Sequence, residues 1–161
     1  MMIEPVLTRT PWSSHLETMD AAIATHDASA ALLAWRHAYS AALDQPGWQG
    51  LVEVAGAALH IGAITGFSKA AESRARESYW TALFRARRQG SLNGVLDAAE
   101  AFGGLGDRMM VEQCLRIAER LALLTADADA ADRVRALAAD LAQRYVELDR
   151  PEATAGPESP G

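Results

Sequence analysis

The chain alternates between alanine- and leucine-rich blocks and short breaks that contain glycine, proline or aspartate. The segment AEAFGGLGDRMMVEQCLRIAERLA, residues 99–122, shows this pattern most clearly, because Gly103, Gly104 and Gly106 interrupt a run of good helix formers. A glycine inside a helix costs about 1 kcal/mol relative to alanine. The cluster therefore predicts a helix end and a tight corner, with Asp107 as the cap of the next helix.

The same alternation along the whole chain predicts an all-α fold of about seven helices. Strand-favouring runs of valine, isoleucine, threonine and aromatic residues are absent. Apolar residues recur at three- and four-residue spacing within each block, which defines one buried face per helix. The predicted helices span approximately 13–25, 28–44, 47–61, 68–88, 92–103, 108–124 and 130–148.

Residues that favour helix ends occupy the breaks between the blocks. Ser14 and Glu17 have the spacing of a capping box at the start of the first helix. Asp27 and Ser68 are predicted to cap the second and fourth helices, and Gly90 to end the fourth. Because the breaks are short, successive helices are expected to form antiparallel hairpins.

The length of 161 residues predicts a single domain. An extended arm is expected over residues 1–11 and a helical domain over 12–148. Residues 149–161 are rich in proline, glycine, glutamate and serine, and predict a flexible tail.

Charge and cysteine usage exclude several classes of protein. A net charge of −6 argues against nucleic-acid binding, which needs clustered lysine and arginine. No apolar run is long enough to predict a membrane span, and the first residues do not have the pattern of a signal peptide. The single cysteine, Cys114, fits a reducing compartment. The expected localisation is cytoplasmic.

Two parts of the chain can be overlaid without a gap. Residues 34–62 align with 78–106, and Gly50 then meets Gly94 while the helix breaks coincide. Such internal similarity is typical of helical repeats. Chance similarity between two helix–turn–helix segments is the alternative.

The second half of the chain resembles a tetratricopeptide repeat (TPR), a helix hairpin of about 34 residues. Ala99 and Phe102 precede a Leu-Gly-Asp corner at 105–107. The next helix places Val111, Leu115 and Ala118 at the family's small, aromatic and small positions, and Ala31, Trp35 and Ala38 match that pattern in the second predicted helix. The resemblance implies three hairpins, followed by a capping helix. These units would span 12–45, 48–91, 92–125 and 128–148.

The resemblance also implies a binding surface, because the first helices of such hairpins line a concave groove. The partner-binding residues on that surface would be Asp20, Gln49, His60, Asn93 and Glu100, with Gly104 beside them. Gly56 and Gly103 would let a peptide approach the backbone closely. The lysine and asparagine pairs of the family's carboxylate clamp are missing.

The segment 69–88 is basic within an acidic chain. Six basic residues lie in it against Glu72 and Glu77, namely Lys69, Arg74, Arg76, Arg85, Arg87 and Arg88. This excess predicts docking of an acidic partner, with Arg85, Arg87 and Arg88 as candidates. The alternative is a solvated helix face with local ion pairs.

Catalytic chemistry has little support in the sequence. The histidines form no metal-binding motif, although Glu53 and His60 lie two turns apart on one predicted helix. Cys114 lies in an apolar stripe and predicts a buried, inert thiol. No catalytic residue, metal or cofactor is expected.

These observations favour a non-enzymatic adaptor or scaffold that binds a protein or peptide segment in a helical-repeat groove. A self-associating structural protein is the alternative, since Trp12, Trp48, Tyr79 and Trp80 would form an exposed stripe that a homo-oligomer buries. A helical-bundle enzyme or ligand carrier, with His37, His60 and Glu53 in a pocket, is the third.

Overall fold

The computed structural model describes residues 9–148, which form seven α-helices and no strand. The helices are α1 (Ser13–Ala24), α2 (Ala28–Asp44), α3 (Gln49–Thr65), α4 (Ser68–Gln89), α5 (Leu92–Gly104), α6 (Arg108–Thr125) and α7 (Ala128–Leu148). The predicted all-α fold is confirmed, with bounds that differ by only a few residues. Residues 1–8 of the predicted arm and the whole predicted tail lie outside the described residues.

The glycine cluster of α5 forms a corner, as predicted. Helix α5 ends at Gly104, and Gly106 adopts a φ of 73°, in the left-handed region that glycine tolerates best. Asp107 then caps α6, because its side chain accepts a hydrogen bond from the Met110 backbone N–H at 3.3 Å. Asp27 caps α2 in the same way. Each such cap stabilises the fold by about 1 kcal/mol.

Two predicted caps are wrong. The residue that precedes α1 is Trp12, which makes no side-chain cap, and the Glu17 carboxylate accepts a hydrogen bond from Arg9 instead of closing a capping box with Ser14. Helix α4 likewise follows Phe67 without a side-chain cap, and Ser68 is already helical. Aromatic residues therefore occupy the cap positions of both helices.

Helices that are neighbours in the sequence pack against each other, most extensively α1 with α2, α3 with α4, and α5 with α6. The odd-numbered helices also contact one another in series, α1 with α3, α3 with α5, and α5 with α7. Small residues make the close approach of these helices possible. The alanines with no exposed surface are Ala38, Ala55, Ala75, Ala82, Ala86, Ala98, Ala99 and Ala118.

Tryptophan rings join the odd-numbered helices through glycine. A Cβ placed on Gly50, near the start of α3, would lie only 2.8 Å from the ring of Trp12. A Cβ on Gly94, near the start of α5, would lie 2.7 Å from the ring of Trp48. Only glycine leaves room for either ring. The two glycines that the internal alignment pairs thus receive the same kind of contact.

The predicted exposed aromatic stripe is wrong for three of its four members. Trp12, Trp48 and Tyr79 are buried, and only Trp80 keeps about half of its surface exposed, at 49%. The Trp12 indole N–H donates a hydrogen bond to the Glu53 carboxylate at 2.7 Å, which holds the ring against α3. The two tryptophans lie next to helix breaks in the sequence and Tyr79 lies within α4, but all three rings fill gaps between helices in the fold.

The tryptophan contact at Gly94 can be tested with alanine substitutions. Gly94→Ala should lower the free energy of unfolding by about 1–2 kcal/mol, because its methyl group would overlap Trp48 and Ala86. Gly56→Ala is the control, because a methyl group added at this helical glycine would have no neighbouring atom within 4 Å. This substitution should raise the free energy of unfolding by about 0.5–1 kcal/mol. Urea titration measures both. Equal effects of the two substitutions would contradict the contact.

Candidate functional site

The basic residues of α4 have different roles. The guanidinium of Arg85 donates hydrogen bonds to the backbone carbonyls of Gln45 at 2.6 Å, Leu43 at 2.9 Å and Gly47 at 3.1 Å. These carbonyls belong to the last turn of α2 and to the corner that follows it. Arg85 therefore satisfies backbone groups of a helix end and joins α4 to α2. It is not part of an exposed basic surface, whereas Arg87 and Arg88 are exposed.

A second basic side chain of α4 is also engaged within the fold. The Arg76 guanidinium forms an ion pair with the Asp107 carboxylate at 3.3 Å, so Asp107 both caps α6 and binds α4. This ion pair joins residues 31 positions apart, so it differs from the local pairs of the predicted alternative.

Arg74 differs from Arg85 and Arg76 in its contacts. Its guanidinium carbon lies 5.6 Å from the centroid of the Trp35 ring, a cation–π contact between α4 and α2. Within residues 9–148, no carboxylate forms an ion pair with it. Arg74 lies at the wall of the first pocket described below.

That pocket lies between α2 and α4, on the surface of α3. It has a volume of about 390 Å³, which falls in the range typical of ligand-binding pockets. Its floor is the C-terminal half of α3, and its walls are the N-terminal halves of α2 and α4. The lining residues are Ala28, Ser29, Leu32, Trp35, Ala58, Ile61, Gly62, Thr65, Phe67, Ala70, Ala71 and Arg74.

The pocket forms because α2 and α4 both pack on α3 and make little contact with each other. At the floor, α3 and α4 touch so closely that a Cβ on Gly62 would lie 2.3 Å from the Ala71 Cβ. Small residues at the start of α2 and α4, such as Ala28 and Ala70, leave the space above the floor open.

A second pocket of about 280 Å³ continues from the first toward the corner between α1 and α2. The two share Ala28, Ile61, Thr65 and Phe67. Large apolar side chains border this second pocket in contact with solvent, since Phe67 is 72% exposed and Ile64 is 52% exposed. We call the two pockets together the α2–α4 groove.

The charged and titratable side chains that line the α2–α4 groove are Arg74 at one end and His26 and Asp27 at the other. The Asp27 carboxylate is already engaged, because it accepts the hydrogen bond from the Ala30 N–H at the start of α2. The remainder of the lining is mostly apolar. The groove can therefore bury an apolar group and place a cation beside it.

The partner-binding residues predicted from the TPR resemblance lie elsewhere. Asp20, Gln49, His60, Asn93 and Glu100 are exposed, as is Gly104, and none lines the α2–α4 groove. The Asn93 side chain accepts a hydrogen bond from Arg133 of α7. Gly103 contacts the Leu141 side chain of α7, so its backbone is not open to a peptide, whereas Gly56 faces open space.

The three residues of the predicted enzyme or carrier pocket do not line the groove. Glu53 binds the Trp12 indole, His37 stacks on His15 with ring centroids 5.6 Å apart, and His60 is exposed. Among residues 9–148, no three histidine, cysteine or acidic side chains are grouped so that they could hold a metal ion.

The sequence interpretation missed the groove residues Phe67, Ile64 and Leu32. Its only signal was a large aromatic residue, Phe67, placed directly after Gly66, where a polar cap is usual. The pocket itself depends on the separation of α2 and α4, which are 24 residues apart at their nearest ends.

Cys114 has no exposed surface, as predicted. Burial, and secondarily the negative charge of Asp107, raise the pKa of its thiol to about 12. The thiol is therefore protonated in the folded protein at neutral pH, and only the thiolate is an efficient nucleophile.

The thiol makes stability depend on pH above its ordinary pKa of 9.0. Between pH 9 and pH 12 the unfolded chain releases the proton that the folded chain retains, so the free energy of unfolding falls as the pH rises. Between pH 7 and pH 10 the free energy of unfolding should fall by about 1.4 kcal/mol more in the wild type than in Cys114→Ala. Urea titrations at both pH values measure this difference. Equal losses in the two proteins would contradict the burial of the thiol.

No helix among residues 9–148 combines the length and the apolar character needed to cross a bilayer. Comparisons with family models, with curated proteins and with solved structures give no match to this chain.

Proposed function

We propose that this protein is a non-enzymatic adaptor that binds a segment of a partner protein in the α2–α4 groove. The observation that carries the proposal is the groove itself, two adjoining and mostly apolar pockets of about 390 and 280 Å³ that open to solvent beside Phe67 and Ile64. Large apolar side chains are exposed at the border of a concave site, which is typical of interaction surfaces.

Burial of these side chains would stabilise a complex. Complete burial of a phenylalanine or isoleucine side chain contributes about 1.5–3 kcal/mol. An amphipathic helix or an extended segment that inserts apolar side chains into a groove is an established mode of peptide recognition. The groove lies between helices whose positions are fixed by α3, so little of the binding free energy is spent on ordering it.

The TPR resemblance supports the same class of function. Odd-numbered helices contact each other in series, as the first helices of stacked hairpins would, and the contacts of Trp12 with Gly50 and Trp48 with Gly94 recur from one unit to the next. The concave surface implied by the resemblance, with Gln49 and Asn93, is the second place where a partner segment would bind. The single, buried cysteine is compatible with a cytoplasmic adaptor.

Self-association is the second candidate function. Trp80 and Phe84 are one turn apart on α4 and are 49% and 64% exposed. Two such side chains at this spacing form the apolar stripe of a helix that packs on another protein. Sedimentation velocity of the wild type and of Phe84→Ser at several concentrations tests self-association. A wild type that is monomeric at all concentrations would exclude it.

The groove proposal predicts that filling the pocket prevents binding. Ala28 is exposed at the first turn of α2 and lines both pockets. Ala28→Trp should therefore place an indole where the partner binds and reduce partner recovery at least about 10-fold, equivalent to 1.4 kcal/mol. The measurement is affinity capture from an extract of the native host, with the recovered proteins quantified by mass spectrometry.

Two further variants make the result specific. Ala136→Trp adds the same side chain at an exposed position of α7 and should leave recovery unchanged. The double variant Gln49→Ala, Asn93→Ala should also retain the partner. Loss of the partner with that double variant, together with retention by Ala28→Trp, would place binding on the odd-numbered helices and contradict the groove.

A further inference from the structure

We infer that the partner segment presents a carboxylate next to a bulky apolar side chain, and that the Arg74 guanidinium binds the carboxylate while the apolar side chain fills the α2–α4 groove. This inference rests on the proposed function, and it specifies the chemistry of the partner.

Arg74 lies where its guanidinium can reach a group bound in the groove. The side chain lies at the wall of the larger pocket, and its guanidinium carbon is 5.6 Å from the centroid of the Trp35 ring. A guanidinium carries five N–H donors, and the contact of Arg74 with the Trp35 ring forms no ion pair, so donors remain for a carboxylate. The Trp35 ring is buried, and its own N–H donates to the Val54 carbonyl at 2.8 Å, so the ring is a fixed support.

The charge of Arg74 is complementary to that of an anionic partner group. Within residues 9–148, carboxylates pair with Arg9, Arg76, Arg135 and Arg144, whereas none pairs with Arg74. Arg85 is bound to backbone carbonyls. Arg74 is thus a basic side chain of α4 that faces an apolar pocket and retains its donors for an anionic group.

The remaining groups around the groove agree with an anionic partner. Helix α4 begins beside the pocket, at Phe67 and Ser68, without a side-chain cap or an acidic residue in its first turn. The partial positive charge of a helix N-terminus adds to that of Arg74. The one acidic side chain that lines the groove, Asp27, lies in the second pocket and caps α2.

The apolar part of the partner follows from the rest of the lining. Leu32, Ile61 and Phe67 line the larger pocket together with alanines. An acidic residue alone would leave this surface in water, and an apolar residue alone would leave Arg74 without a carboxylate. A segment that carries a carboxylate within one helical turn of a large apolar side chain contacts both Arg74 and the apolar lining.

Selection from a displayed library of random twelve-residue peptides tests the inference on the full chain. The wild type should enrich peptides with aspartate or glutamate within four positions of a large apolar residue. Arg74→Glu should retain the apolar preference and replace the acidic residue with lysine or arginine. A synthetic peptide selected on the wild type should bind Arg74→Gln roughly 10- to 100-fold more weakly, the loss expected for a charged hydrogen bond.

Arg87→Glu is the matched control, since Arg87 is an exposed arginine of the same helix that does not line the groove. It should leave the selected sequences unchanged. Circular dichroism of each variant confirms that the helices are intact. The inference is overturned if the same acidic preference persists in Arg74→Glu, or if it changes equally in Arg87→Glu.

The outcomes separate this inference from the proposed function. Peptides that fail to bind Ala28→Trp, but whose binding does not change with the charge at position 74, would contradict the inference and support the groove. If every selected peptide still binds Ala28→Trp, the groove itself is contradicted. Decanoate, an apolar chain with one carboxylate, is the small-ligand probe: tighter binding than any selected peptide, lost in both Ala28→Trp and Arg74→Glu, would overturn a protein partner.

Discussion

The fit of a tryptophan ring onto a glycine is the contact on which the rest of the structure depends. Trp12 packs on Gly50 and Trp48 packs on Gly94, so each ring joins an odd-numbered helix to the next. Alanine is the most frequent residue type among the buried hydrophobic residues, and each alanine removes little apolar area from water. Two large rings therefore contribute a substantial share of the burial between units. A Cβ on either glycine would force the helices apart.

Helix α3 determines where the groove opens. Because α2 and α4 both pack on α3, they are joined to each other mainly by side chains. At their C-terminal ends Arg85 binds the carbonyls that end α2, which holds that side closed. At the N-terminal ends small residues such as Ala28 and Ala70 leave space between the walls, and Arg74 of α4 contacts Trp35 of α2. The groove lies between the N-terminal halves of α2 and α4, and it is where we propose that a partner binds.

Much of this fold follows from local sequence. Helix formers interrupted by glycine and aspartate predict the seven helices, and the caps at Asp27 and Asp107 follow from side-chain chemistry within three residues. The buried tryptophans and the groove do not follow, because both depend on contacts between residues far apart in the chain. Arg85 shows the same limit: six basic residues in one segment read as a charged surface, yet one of them satisfies carbonyls 38 to 43 positions away.

The most direct test of the tryptophan-mediated stacking is a nuclear Overhauser experiment on the protein in solution. Ring protons of Trp12 should show cross-peaks to the α-protons of Gly50, and those of Trp48 to the α-protons of Gly94. Both glycines should also have ring-current-shifted α-proton resonances. Cross-peaks in both pairs would support a series of stacked helices joined by the same contact. Their absence in both pairs, with the helices otherwise intact, would contradict the stacking.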